Sequence, residues 1–255
     1  MFDFFKSRRR AQLRAQPIPD EWRRAIERNV PIVRRLPPAD VRELFGHVQV
    51  FLAEKHFEGA GGLELTDEIR VTIAAQACLL LLHRDTDYYP KLTSIIVYPG
   101  TYMLPGEHHI GGGVWEEGDE AHLGHTQDNL SAMVLAWDST LHGARGIDDG
   151  ENLVFHEFAH QLDFESGDAN GTPALESKHQ YASWARVLGA EFEALRRASE
   201  TGAPSVLDDY GAENPAEFFA VATEAFFERP AELRARHAAL YAELRAFYRQ
   251  DPAEW

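Results

Sequence analysis

The 255-residue chain predicts an α+β fold, a small sheet set among helices. Three observations predict it. Apolar residues recur at helical spacing through the first third, two short apolar runs then read as strands, and helical periodicity resumes to the end. Apolar residues make up 44% of the chain and charged residues 26%, which supports a buried core and excludes a wholly disordered chain.

The first third reads as helical. Pro17 to Asp20 is a turn, and Asp20 can cap a helix carrying Trp22, Ile26 and Val30. Pro37-Pro38 stops one segment, after which Val41, Leu44, Phe45, Val48 and Phe51 mark another helix. Gly59 to Gly62 breaks the chain. Thr66 can cap the next helix, with Asp67 and Glu68 in its positive first turn. That helix is apolar nearly all round, so it is expected at the centre. Ser94 to Tyr98 and Met133 to Trp137 read as strands, and residues 105–129 between them as a loop rich in Gly, His and acids. Asp148 to Asn152 is a turn leading into a helix from Leu153. Beyond His160 the chain reads as mostly helical, with loops near 166–174 and 201–214.

Charge narrows the function classes. The net charge is -16, which argues against direct nucleic-acid binding, since phosphates need a basic surface. Residues 1–35 nevertheless hold ten Lys/Arg against four Asp/Glu, a net of +6, leaving -22 on the other 220 residues. A basic head on an acidic body suggests a docking segment, or more simply a solvated basic helix lying on its own acidic body. The single cysteine, Cys78, excludes an internal disulfide and lies in the apolar run Ile73 to Leu82, as a buried small hydrophobe would. That run is too short to span a bilayer, and the first residues place their apolar part before their charges, the reverse of a secretory signal. A cytoplasmic protein without a transmembrane segment is expected.

The chemistry is carried by Asn152 to Asp163, which contains H-E-x-x-H. Residues four apart share a helix face, so His156 and His160 can aim ring nitrogens at one metal ion. Glu157 stands beside the first histidine, placed to take a proton from a water that zinc acidifies. A third protein ligand is needed. Asp163 and Ser166 stand where the extended metzincin pattern has Gly and His, so that class is excluded. The third ligand is expected on the later segment Tyr210 to Phe227, where Asn214 can cap a helix, Pro215 can open it, and Glu213, Glu217 and Glu224 line one side. Glu217 is also placed as a capping-box residue. Spacing alone leaves Glu217 and Glu224 equal as the ligand, the other serving to orient a histidine. Asp163, one turn after His160, is a further orienting candidate.

The stretch His156 to Asp163 together with Asn214 to Val221 resembles the Mlc titration factor A family of zinc peptidases. The opening Phe4-Phe5-Lys6 with its arginines, and Ile95 to Pro99, look like that family too, so the resemblance covers nearly the whole chain. It implies a zincin-like metallopeptidase fold of the gluzincin class, similar in its catalytic part to the anthrax lethal factor peptidase domain. The sequence changes character from about Tyr88, so a helical N-terminal part with a basic head, residues 1–87, and a zincin-like catalytic part, residues 88–255, are expected, packed as one unit. The resemblance implies zinc ligands His156, His160 and Glu217, the base Glu157, and a catalytic Tyr210 whose hydroxyl donates to the oxyanion. It also implies a peptide substrate, aminopeptidase-like activity and an Mlc-like transcriptional repressor as partner. The rival expectation is a regulatory protein that captures a transcription factor, its zinc mainly structural. In gluzincins the strand before the active-site helix pairs with substrate backbone, the role this resemblance implies for Met133 to Trp137. His108, His109, His122 and His125 are expected in a solvated loop or flap. His142 and His179 have no assigned partner, and Ser139-Thr140 lacks a serine-hydrolase elbow.

Overall fold

A computed structural model of the chain describes residues 2–100, 107–109, 115–117 and 131–255. The N-terminal stretch forms α1 (Phe2–Arg14), α2 (Asp20–Asn29), a 3-10 turn over Pro31–Arg35, and α3 (Pro38–Glu54). Pro19, not Asp20, holds the cap position of α2, and Asp20 instead supplies charge to the first turn. Pro38 occupies the first helical position of α3, where its missing N–H costs nothing. Arg10 ties α1 to the body. It is 9% exposed and donates to both carboxylate oxygens of Glu54 at 2.8 and 2.7 Å. It also reaches Asp87 at 2.6 Å, and Lys6 pairs with the same carboxylate at 2.6 Å.

β1 (His56–Gly59) follows, inside the stretch expected to be helical. Its four residues bury Phe57 and leave His56 and Glu58 exposed, too short an alternation to stand out in sequence. Thr66 then caps α4 (Asp67–Leu79), its hydroxyl accepting the N–H of Ile69 at 3.3 Å. Every residue from Val71 to Leu79 is buried, and α2 and α3 pack against this central helix. β2 (Ser94–Tyr98) pairs parallel with β1, and β5 (Ala132–Ala136) pairs parallel with β2. The register aligns Phe57, Ile95 and Met133 in one buried row, and Val97 with Leu135 in the next. Period-two burial thus faces one side of the three-stranded sheet to the helices. Its strands fall on both sides of residue 87.

Residues 105–129 hold two short strands where a loop was expected. β3 (Glu107–His109) and β4 (Trp115–Glu117) pair antiparallel. His122 and His125 lie outside the described residues. The second expected strand ends at Ala136, and Trp137 opens α5 (Trp137–Arg145).

The remaining helices are α6 (Leu153–Phe164), α7 (Lys178–Thr201), α8 (Pro215–Glu228), α9 (Pro230–Arg236) and α10 (Ala238–Tyr248). α6 lies between α4 and α8. α8 is nearly all buried, its Phe219 meeting Trp184 of α7 and Phe247 of α10 edge-on at 5.6 and 5.8 Å. The arrangement is α+β and zincin-like: a small sheet, a central H-E-x-x-H helix, and a helix bearing Glu217 packed beside it. Among the described residues no helix is long and apolar enough to cross a membrane.

Candidate metal centre

Two capped helices build the site. Asn152 accepts the N–H of Phe155 at 2.9 Å and so opens α6. Phe155, Phe158, Ala159 and Leu162 are buried and fix the rotation of the helix, Phe158 packing edge-on against Tyr89 at 4.7 Å. His156 and His160 therefore emerge together on another face. Asn214 opens α8 by accepting the N–H groups of Ala216 and Glu217 at 2.9 and 3.1 Å. Glu217 sits in that first turn, but its carboxylate faces the histidines.

The three side chains converge. His156 Nε2 lies 3.2 Å from His160 Nε2 and 3.0 Å from Glu217 Oε2, and His160 Nε2 lies 3.3 Å from the same oxygen. Ligands at about 2.0–2.1 Å from one tetrahedral ion lie roughly 3.3 Å apart. The donor set and its spacing fit a zinc-sized cation. Glu224, seven residues on, takes the other side of the first ring: its Oε1 lies 2.8 Å from His156 Nδ1, and its Oε2 accepts the N–H of Asn152 at 2.5 Å. With Nδ1 donating to this carboxylate, a cation at the shared point would take the Nε2 lone pair in place of its proton. Contacts thus distinguish two glutamates that spacing left equal.

The electrostatics favour positive charge here. Burial pushes the Glu217 carboxyl up, but hydrogen bonds from His156 and His160 prevail and hold it at about 2. Burial lowers the His156 imidazole, yet Glu217 and Glu224 outweigh it and raise it well above its ordinary value. Burial raises Glu157, opposed by the two neighbouring histidines. Tyr210, on a 3-10 turn over Asp209–Ala212 capped by Asp208, is also raised by burial. Its ring centroid lies 5.9 Å from that of His156. His156, Glu157, His160, Tyr210 and Glu217 all line one cavity of about 590 Å³. A second cavity, about 680 Å³, is also lined by His156 and Tyr210, and by His142 and Glu224.

Other candidates go elsewhere. Asp163 accepts the N–H of Gly171 at 2.6 Å and so orders the loop after α6. That glycine has φ +75, and a Cβ there would stand 2.2 Å from the carbonyl oxygen of Pro215. His179 is exposed near the start of α7. Asp40, Glu43 and His83 also cluster, with the two ring nitrogens of His83 facing separate carboxylates at 3.2 and 3.4 Å.

Sequence reading missed the support behind the site. Asn152 Nδ2 donates to Gln76, to the carbonyl of Gly143 and to Glu228 at 3.0, 3.1 and 3.0 Å. Glu228 Oε2 accepts the N–H of Gly150 at 3.1 Å. The available signal was Glu224 and Glu228, a second acid four residues on in an otherwise apolar helix.

A family model described as glucose-regulated metallo-peptidase M90 matches residues 4–249. An uncharacterised protein of Synechocystis sp. is 39% identical over 244 residues, 96% of this chain and 89% of that protein. Mlc titration factor A of Klebsiella pneumoniae is 31% identical over 245 residues, 91% of this chain and 87% of its own length. Mlc titration factor A of Pectobacterium atrosepticum is 30% identical over 237 residues, again 91% and 87%.

Proposed function

The chain belongs to the glucose-regulated metallo-peptidase M90 family, and from that premise we propose that it is a cytoplasmic zinc peptidase of the gluzincin type. His156, His160 and Glu217 hold the zinc. The single observation that carries this reading is the approach of their three ligand atoms to within 3.0–3.3 Å of one another. Bound there, zinc supplies Lewis-acid polarisation of a peptide carbonyl and lowers the pKa of the attacking water.

The chain's own residues do the rest. Glu157 takes the proton from the water as it attacks, then returns it to the leaving amine. A carboxyl whose affinity for protons is raised by burial suits both steps. The Tyr210 hydroxyl donates a hydrogen bond to the oxyanion of the tetrahedral intermediate. Glu224 fixes the ring of His156 through Nδ1. β5 is an edge strand of the sheet among the described residues, and it offers that edge to the extended backbone of a peptide. The activity is aminopeptidase-like.

Hydrolysis of a mixed short-peptide library by the zinc-loaded chain tests this, with Glu157→Gln run alongside. Cleavage by the wild type and a loss of ~10³-fold or more in the variant at unchanged zinc content is the expected result. Retained turnover in the variant would remove Glu157 from its role.

The names of the relatives favour a second reading, capture of an Mlc-like transcriptional repressor, with zinc chiefly supporting the fold. In that reading Glu157→Gln captures the repressor as well as the wild type does, and neither protein cleaves peptides. Both activities can reside in one chain.

A further inference from the structure

The outward face of α1 lies apart from the residues that line the metal-centre cavity. Phe4 and Phe5 are 66% and 61% exposed, and Tyr181 is the other large hydrophobic side chain exposed among the described residues. The two phenylalanine rings meet edge-on at 5.9 Å. Arg10 and Leu13 mark the side of α1 turned to the body. By helical rotation Phe4 and Arg8 lie opposite them, with Phe5 beside and Arg9 on the flank. Arg8 and Arg9 are exposed and make no ion pair among the described residues. The helix is held rigidly in this attitude, because a buried guanidinium binds Glu54 through two parallel bonds and also meets Asp87.

We propose that this face docks the protein reversibly on an anionic lipid bilayer, with Phe4 and Phe5 entering the interface and Arg8 and Arg9 meeting the headgroups. On this face the large apolar residues stop after the first turn, short of the i+7 anchor that a groove-filling helix carries. A helix that fills a groove repeats its apolar anchors at i+3, i+4 and i+7. From Phe4 those positions are Ser7, Arg8 and Ala11, and from Phe5 they are Arg8, Arg9 and Gln12. The apolar contact is confined to one turn, as end-on contact with a flat surface requires. Aromatic residues with arginine beside them suit the boundary between headgroups and acyl chains. The charge distribution selects the orientation, because residues 36–255 carry -22 and are repelled by an anionic surface while residues 1–35 carry +6.

The test is co-sedimentation of the full chain with vesicles of phosphatidylcholine containing phosphatidylglycerol, against pure phosphatidylcholine, at low and high salt. The wild type is expected to bind the mixed vesicles and to leave them at high salt. Phe4→Ser/Phe5→Ser and Arg8→Glu/Arg9→Glu should each lower the bound fraction roughly tenfold. Both pairs are exposed, so unchanged melting confirms an intact fold. Arg196→Glu/Arg197→Glu makes the same charge change on exposed residues of α7 and should leave binding intact. Absence of wild-type binding to the mixed vesicles overturns the proposal. So does equal loss in the α7 variant, which would indicate net charge alone. Capture of a repressor protein that depends on Phe4 and Phe5, without vesicle binding, would give this face to a protein and overturn it as well.

Discussion

His156 makes two different contacts through its two ring nitrogens, and the division of labour between Glu217 and Glu224 follows from them. Glu217 shares the Nε2 side with His160, whereas Glu224 holds Nδ1. Glu217→Ala is therefore expected to abolish stoichiometric zinc binding. Glu224→Ala should weaken it about 10–100-fold, as loss of a group that orients a histidine does. Metal titration with a competing chelator reads both, and the reverse order would exchange their roles. Tyr210→Phe should lower kcat about 10²-fold with little change in KM, because an oxyanion donor acts in the transition state. H-E-x-x-H was legible in sequence because a separation of four residues puts both histidines on one face. The choice between Glu217 and Glu224 was not, because residues seven apart on a helix share a face and only the neighbouring helix separates them.

At the scale of elements, α8 grips the head of α6. Glu224 binds the backbone of Asn152, while Glu228 binds Gly150 and the Asn152 side chain. Asn152→Ala removes the cap of α6 and strands buried partners, at a cost of roughly 2–4 kcal/mol measurable by urea unfolding. Burial lifts the Glu228 carboxyl to about 9, with Glu224 and Asp149 adding to the rise and the hydrogen bond from Asn152 opposing it. The folded chain then keeps a proton that the unfolded chain releases near 4.5. The folded state binds more protons across that window, so stability falls as pH rises from about 4.5 to 9. Glu228→Gln should flatten this dependence of Tm on pH, whatever its effect on the absolute Tm. An unchanged slope would show that Glu228 is ionised in the fold. Amphipathic spacing and caps made α3, α4, α6 and α8 readable in advance. β1 and α5 were not: β1 has one fully committed apolar residue, and α5 reads Trp-Asp-Ser-Thr-Leu-His-Gly-Ala-Arg, rich in turn formers and held by its neighbours.

For the molecule as a whole, the charge division seen in composition becomes a structural joint. Arg10 and Lys6 spend two of the basic charges on Glu54 and Asp87, joining α1 to the acidic body. Arg10→Ala is expected to free α1. Limited proteolysis should then remove the first residues far faster than in the wild type while leaving residues 20–255 folded; equal rates would show that Leu13 packing suffices. The pairing of α6 with α8 has a consequence for synthesis. His156 finds its partners 61 and 68 positions later, and Asn152 finds its own 72 and 76 positions later. A chain still growing on the ribosome thus carries both histidines well before it carries the groups that aim them. The cluster around His156 closes only after Glu217 and Glu224 have been made and folded back, so a chain that stops short of them cannot assemble it.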